Sequence, residues 1–572
     1  MKRINLSLIA TAIAAVIFSS CASLNKMKDQ AKNISYTVTP SPLVVKGGQV
    51  EVKVDGNIPG KFFLKKATVV STPVVKYNGQ ETALKSLTLQ GESVMGNEKV
   101  IKFNEGGSFT FSDKFPYKKD MAISTLEVNS KATMGTKSVD FPSVKIADGI
   151  IATELLVVKD PRVIFAGDDK FVRTVDSKYQ ADIKYLINKA DVRPTELKKA
   201  EIKTLNETLK DIDKDPKKQI KGIQVSAYAS PDGPYDLNDK LAGKRKESAS
   251  AYFTKEIKKS KIEKVKDDLF SYLTTAEDWD GFKELLQASN VKDKELVLRV
   301  LSMYSDPVVR EKEIRNISAA FDEIKDKILP QLRRSKLTVS VENVGRTDAE
   351  ILSMAQSTPD SLQLEDLLYA AKLTKDADKQ LDIYKAAAKK YPNDFRAKNN
   401  IGYILFNQNH ISEAKAAFED AKKVENNNIA KNNAGVMAFL DGDLAKAEEL
   451  FTSAVGAGDQ VNYNLGIIKV IQGKYSEAIS YFGYTPEVNS ALAKLLNNDT
   501  NGALTILNSL KTDDALAYYL KAIIGSRTQN TELLFTNLRT ACGKSAELKA
   551  NAAKDMEFFK YFQDATFKSI VQ

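Results

Sequence analysis

The spacing of apolar positions changes sharply along the chain. Behind Lys2 and Arg3, residues 6–18 form an almost unbroken apolar run, too short for a convincing membrane-spanning helix and matching the layout of an export signal over residues 1–20. Residues 22–35 are small, polar and basic with no hydrophobic period, which predicts a tether over 21–35. Residues 36–160 then run as short alternating stretches such as "QVEVKVDG" and "GSFTFSDKF", punctuated by Gly, Pro and Asn. Alternation with frequent turn residues predicts antiparallel strands and a β-sandwich. Further on, "ADIKYLIN" and "KGIQVSAYAS" alternate like half-buried strands, while residues 193–213 and 238–258 carry helical spacing. With "KLTVSVENVG" as a third strand after a helical insertion at about 259–335, residues 161–350 predict an α+β sandwich with helices on one sheet face. Residues 351–572 read as helix almost throughout.

Those last helices repeat. Gly402, Ala414, Phe418 and Ala421 recur as Gly435, Ala447, Phe451 and Ala454, then as Gly466, Ala478 and Phe482. Weaker copies include Ala522, Leu534, Leu538 and Ala541, and a degenerate one lies at 491–507. Small residues let paired helices approach, and the aromatic is expected between neighbouring pairs. The pattern resembles the tetratricopeptide repeat, with Pro392 where a unit usually ends. That resemblance implies an all-α solenoid that takes a protein partner on a concave face.

The stretch "SAYASPDGPYDLNDKLAGKRKESASAYF", residues 226–253, runs from a strand through a crowded turn into a basic helix. Gly233, Asn238, Leu241 and Arg245 sit where the C-terminal, peptidoglycan-associated module of the OmpA family has its loop glycine and helix-opening residues, and residues 179–258 resemble that module over most of their length. The resemblance implies a site in which Arg245 takes a carboxylate of the wall peptide and an aspartate takes its amino group. The aspartate position holds Ser230, which carries no charge. Two readings stay open: Asp232 rescues the contact from a loop reshaped by Pro231, or it caps the turn. The long insertion and the "Ala-Ser-Pro-Asp-Gly" loop resemble expanded modules of Bacteroidetes outer-membrane lipoproteins that also end in tetratricopeptide repeats, so Ser230 is readable as a trait of that group. Arg333 and Arg334 are candidates for a basic rim, and Trp279, the sole tryptophan, reads as packing.

Phe18-Ser19-Ser20-Cys21 resembles a bacterial lipobox, which implies acylation of Cys21 and a hold on lipid. Ala22 after the cysteine, with no acid before Asp29, implies an outer-membrane lipoprotein facing the periplasm. Cys542 is the only other cysteine, so no intramolecular disulfide is expected once Cys21 is acylated. Net charge is +10, but lysines are spread along the chain beside acids. A solvated basic surface, not nucleic-acid binding, is the expectation.

Catalysis finds little support. His410 is the only histidine and lies inside a repeat, which removes Ser-His-Asp and Cys-His chemistry, and the sequence has no phosphate loop or nucleophile elbow. A multidomain, non-enzymatic envelope protein without cofactor or metal is expected. Its domains would be a β-sandwich, an OmpA-like module and a repeat solenoid. Two functions compete: a tether that holds peptidoglycan through Ser230, Asp232, Asn238 and Arg245 while the repeats recruit a protein, and a protein–protein scaffold of outer-membrane biogenesis or secretion machinery whose OmpA-like domain no longer binds the wall.

Overall fold

A computed structural model describes residues 23–572, so the export signal and Cys21 lie outside the described residues. The chain divides into two compact units. One holds the chain up to Gly167 together with Tyr391–Gln572, and the other is Asp168–Lys390. No helix among the described residues is long and apolar enough to cross a membrane.

The first unit opens where a tether was expected. Residues 23–30 are helical (α1), and Leu24, Met27 and Ala31 are buried in the same core as Phe62, Phe63 and Ile101. Their spacing places them along one helical face, an apolar stripe too short to stand out among polar neighbours. Strands β1 (Ser35–Thr39), β2 (Leu43–Lys46), β3 (Gln49–Ile58), β8 (Gly107–Pro116) and β12 (Ile150–Ile151) build one sheet. The other contains β4 (Thr68–Tyr77), β5 (Gln80–Ala83), β6 (Leu87–Gly91), β7 (Lys99–Ile101), β9 (Thr125–Met134), β10 (Lys137–Asp140) and β11 (Val144–Asp148). Val50, Val52 and Phe111 of the first sheet share a core with Val75, Tyr77 and Leu126 of the second, so the two sheets pack as the alternating pattern predicts.

Helix pairs make up the rest of this unit: α13 (Phe395–Asn407) with α14 (Ile411–Val424), α15 (Asn428–Leu440) with α16 (Leu444–Ser453), α17 (Asp459–Ile471) with α18 (Tyr475–Phe482), α19 (Val488–Leu496) with α20 (Thr500–Ser509), and α21 (Ala515–Arg527) with α22 (Thr531–Lys544). The marked small residues sit against the marked aromatics, but inside a pair and not between pairs. A Cβ on Gly402 would come within 2.7 Å of Phe418, and one on Gly466 within 2.4 Å of Phe482. Glycine inside a helix costs about 1 kcal/mol relative to alanine; here it makes room for a buried ring. Gly466→Ala should therefore destabilise despite its better helix propensity, by about 1–2 kcal/mol, because overpacking outweighs the propensity gain. Urea unfolding of the variant against the parent chain checks this.

The array closes with α23 (Ala546–Ala552), a single 3-10 segment Met556–Tyr561 and α24 (Ala565–Val571). Between the first two lies Asp555, 8 % exposed, which accepts hydrogen bonds from the Tyr519 hydroxyl at 2.8 Å and the Glu557 amide at 3.0 Å. Burial pushes its carboxyl up to about 6. The folded state thus binds this proton more tightly than the unfolded chain, whose value is near 4. The stability this contributes is complete below about pH 4 and is lost as pH rises through 6, a swing of about 3 kcal/mol. Asp555→Asn should accordingly gain stability relative to the parent chain between pH 4.5 and pH 7. Denaturant melts at the two pH values test the sign.

The second unit is built on a four-stranded sheet in the order β13 (Thr174–Lys184), β16 (Arg334–Val344), β14 (Lys218–Tyr228), β15 (Phe270–Thr275). β15 runs parallel to β14; the other pairs are antiparallel. A one-turn helix α2 (Pro194–Leu197) leads into α3 (Ala200–Lys214), and α4 is Tyr235–Lys259. Ile202, Leu205, Leu209 and Ile212 of α3 join Ala249, Phe253 and Ile257 of α4 in one core with the sheet residues Ile183, Ile223, Val225 and Val339. This is the expected strand and helix arrangement with two corrections. β13 starts seven residues earlier than "ADIKYLIN", at Thr174, and ends before Leu186. β15, absent from the sequence reading, lies inside the presumed insertion, where "FSYLTT" was too short to stand out. The insertion proper is α5 (Trp279–Ala288), α6 (Lys294–Met303), α7 (Pro307–Asn316), α8 (Ser318–Lys327) and α9 (Leu329–Leu332), with its own core around Phe282, Leu286, Val297, Ile314 and Ile324. Trp279 stacks edge-on against Phe282 at 5.7 Å, as packing. Helices α10 (Asp348–Ser357), α11 (Leu364–Lys372) and α12 (Ala377–Lys390), expected in the solenoid, cluster with this unit.

Candidate functional site

The loop singled out in the sequence lies between β14 and α4. Its helix begins at Tyr235, earlier than the expected Asn238, because Pro234 supplies a ready N-cap backbone. Asn238 faces inward and donates to the carbonyls of Ser230 at 3.1 Å and Gly233 at 2.9 Å, stapling the loop to the first helical turn. The Ser230 hydroxyl donates to Asp232. Arg333 then reaches both: its Nε donates to Ser230 Oγ at 3.1 Å and its Nη2 to Asp232 Oδ2 at 3.0 Å. A second arginine, Arg315 of the insertion, donates to the Asp232 carbonyl at 3.2 Å.

Arg245 is more deeply placed than any of these. It is 1 % exposed, its Nε donates to the Lys189 carbonyl at 3.0 Å and its Nη1 to the Tyr228 carbonyl at 2.9 Å, with Leu186 O at 3.5 Å from Nη2. Its guanidinium carbon lies 5.2 Å from the centre of the Tyr185 ring. Burial pulls the guanidinium down to about 10, still protonated at neutral pH. Arg333 and Arg334, expected as a solvent rim, are 8 % exposed each. Arg334 pairs with Asp278 at 3.0 Å. Burial raises the Asp278 carboxyl above its ordinary range, the Gly281 amide and Arg334 opposing it.

The structure therefore brings the four predicted residues together as one region, but as an internally satisfied one. Asp232 spends its charge on Arg333, and Arg245 spends its donors on backbone carbonyls. A cleft of about 880 Å³ beside the loop is lined by Asp232, Tyr235, Glu277, Val308 and Arg315 among others; Ser230, Asn238 and Arg245 do not reach it.

A second site went unnoticed in the sequence. Asn400, Asn433 and Asn464 each stand two positions before the small residue of their repeat, and Asn489 two before Ala491. Among the repeats their side chains meet an extended piece of the same chain. Asn489 accepts from the Val158 amide at 2.9 Å and donates to the Val158 carbonyl at 2.8 Å. Asn464 does the same for Arg162 at 2.6 and 2.9 Å, Asn433 for Ile164 at 2.7 and 2.8 Å, and Asn400 for Ala166 at 2.9 and 3.0 Å. Alternate residues of an extended strand direct both backbone groups to one edge, so each side-chain amide replaces one rung of a sheet ladder. The segment runs against the order of the repeats. Neighbouring amides brace one another: Asn433 donates to Asn399 at 2.8 Å and Asn464 to Asn432 at 3.0 Å.

Three side chains of the segment add register. Arg162 lies 3.6 Å over the Tyr463 ring and pairs with Glu487 at 3.0 Å; Asp160 accepts from the Tyr463 hydroxyl at 2.7 Å; Phe165 meets Tyr403 edge-on at 5.3 Å. The root of the segment is fixed as well. Gly47 and Gly48, both at positive φ in the β2–β3 turn, direct their amides at the Glu154 carboxylate, at 2.7 and 3.0 Å, and the Tyr475 hydroxyl donates to it at 2.6 Å. Two successive amides on one carboxylate form a small anion cradle that needs a backbone glycine readily adopts.

Residues 399–462 match the family model described as "Tetratricopeptide repeat", a span that contains both Asn-Asn pairs. No curated protein matches the sequence. Among solved structures, the chain is similar to Pseudomonas aeruginosa PilF (11 % identity, covering 38 % of this chain and 97 % of that one, TM-score 0.28). It is also similar to a tetratricopeptide repeat protein from Parabacteroides merdae (13 %, 34 % and 84 %, TM-score 0.27) and to PilW, a type IV pilus biogenesis factor (18 %, 39 % and 89 %, TM-score 0.23). Residues 399–462 thus carry tetratricopeptide repeats, a module of protein–protein interaction, within a C-terminal all-helical region of paired helices.

Proposed function

We propose that the chain is a non-catalytic protein–protein scaffold of the cell envelope, held to the outer membrane through an acylated Cys21, whose OmpA-like module keeps the fold of a wall-binding domain without its open site. One observation carries the choice between scaffold and tether: the ion pair of Asp232 with Arg333, beside an Arg245 that is only 1 % exposed. A zwitterionic wall peptide would have to break that pair and displace backbone carbonyls from Arg245, each a loss of a part-buried hydrogen bond that its own contacts would first have to replace.

Sedimentation of the purified full chain with peptidoglycan sacculi, paired with crosslinking in cells, tests this. The scaffold reading expects the chain to stay in the supernatant and to be captured with envelope proteins. Saturable retention on sacculi, competed by soluble wall peptide, would restore the tether.

A further inference from the structure

We infer that the inner groove of the repeat array is permanently spent on the chain's own residues 157–167, so that this groove is an intramolecular fastener and a protein partner is taken on another face. That last consequence rests on the scaffold reading; the closure of the groove does not.

The ladder reads backbone. Its reciprocal bonds go to the amides and carbonyls of Val158, Arg162, Ile164 and Ala166, whose side chains take no part in them. Any extended segment could in principle make the same bonds, so the question is which segment wins. Two features decide for the resident one. The first is covalent tethering. A segment that belongs to the same chain as the array, joined to it through residues 168–390 and rooted in the β-sandwich of the same compact unit, competes at an effective concentration on the order of millimolar, which an untethered peptide with equivalent bonds does not reach. The second is the pinned root: buried Glu154 is held at once by the β2–β3 turn and by Tyr475 of α18, and the Thr153 hydroxyl donates to buried Glu557. Release of the segment would unmake that joint too.

Nor does an empty groove offer an intermediate. With the segment in place Asn399, Asn400, Asn432, Asn433, Asn464 and Asn489 are all 0–1 % exposed and Val163, Ile164 and Ala166 are buried; release would expose those apolar side chains to water and break the buried bonds of the ladder together. Groove and segment fold as one core.

Hydrogen exchange on the full chain tests the inference. The amides of Val158, Arg162, Ile164 and Ala166 should exchange with the slowest amides of the repeat helices, at least ~1,000-fold below an unstructured chain, and a large excess of a synthetic peptide of residues 157–167 should leave them unchanged. Exchange at the rate of a loop, or loss of protection when the peptide is added, would overturn it. Lys159→Ala, which alters a segment side chain outside the ladder, should leave all four amides protected. Asn433→Ala should speed Ile164 at least ~10-fold relative to Leu209 of the other unit; equal acceleration of both would mean general unfolding, in which case the parent-chain measurement decides.

Discussion

Asn433→Ala is expected to lower the unfolding free energy of the chain by about 3–5 kcal/mol. The side chain makes both halves of a reciprocal pair with Ile164, donates to Asn399 and accepts from Asn432 at 3.1 Å. Truncation leaves the Ile164 amide and carbonyl without their partner at a site where water cannot replace it, and each such buried group costs about 1–3 kcal/mol. The neighbouring amides do not compensate in full: Asn399 donates to Ile164 O at 3.1 Å and keeps that carbonyl partly satisfied, whereas the amide has no second acceptor in reach. Asn428, at the exposed start of the same helix, donates to the Val455 carbonyl at 3.3 Å and accepts from Lys431, so Asn428→Ala should cost under about 0.5 kcal/mol. Thermal and denaturant melts of the two variants against the parent chain measure the contrast, and equal effects would mean that the ladder is not a principal contributor to the core.

That ladder shows what the sequence displayed and what it concealed. Two of its rungs were in plain sight: "KNNIGYILF" and "KNNAGVMAF" place Asn-Asn at the same offset from Gly402 and Gly435. They passed unnoticed because the repeat pattern is carried by small and aromatic positions, and because polar residues in a helix are normally assigned to its solvated face. An asparagine that recurs in register at the helix position facing inward is an observation about partners, and its partner here lies more than 230 residues away in the chain. The extended segment itself gave no period to read. Among the described residues it has no strand neighbour, and "VVKDPRVIFAG" looks like a linker until the amides that receive it are known. The helix pairs and the alternating sandwich strands were legible for the opposite reason, since each is specified by local spacing. In the predicted ligand loop the named residues stand in one region, but how they satisfy one another was not readable. Arg333 lies 101 residues from Asp232 and arrives only through the pairing of β16 with β14.

Arg245→Ala should cost about 3–5 kcal/mol of stability, and this separates a structural arginine from a ligand-binding one. A guanidinium that waits on a surface for a carboxylate is dispensable to the fold, and its truncation is felt in binding alone. Arg245 instead closes the loop before α2 onto the end of β14: its donors hold the Lys189 and Tyr228 carbonyls, and its own carbonyl accepts from the Tyr185 hydroxyl at 3.2 Å and the Ser335 hydroxyl at 3.3 Å. Removing the side chain takes the donors from two part-buried carbonyls and leaves a cavity under the ring of Tyr185. Arg245→Lys keeps the charge but cannot span both carbonyls with one ammonium, so an intermediate loss of about 1–3 kcal/mol is expected. Denaturant melts rank the three chains. Should Arg245→Ala melt with the parent, the side chain would be free of the fold and the tether reading would regain its arginine; a loss graded from lysine to alanine assigns it to the core, where its donors hold the loop at Lys189 to the end of β14.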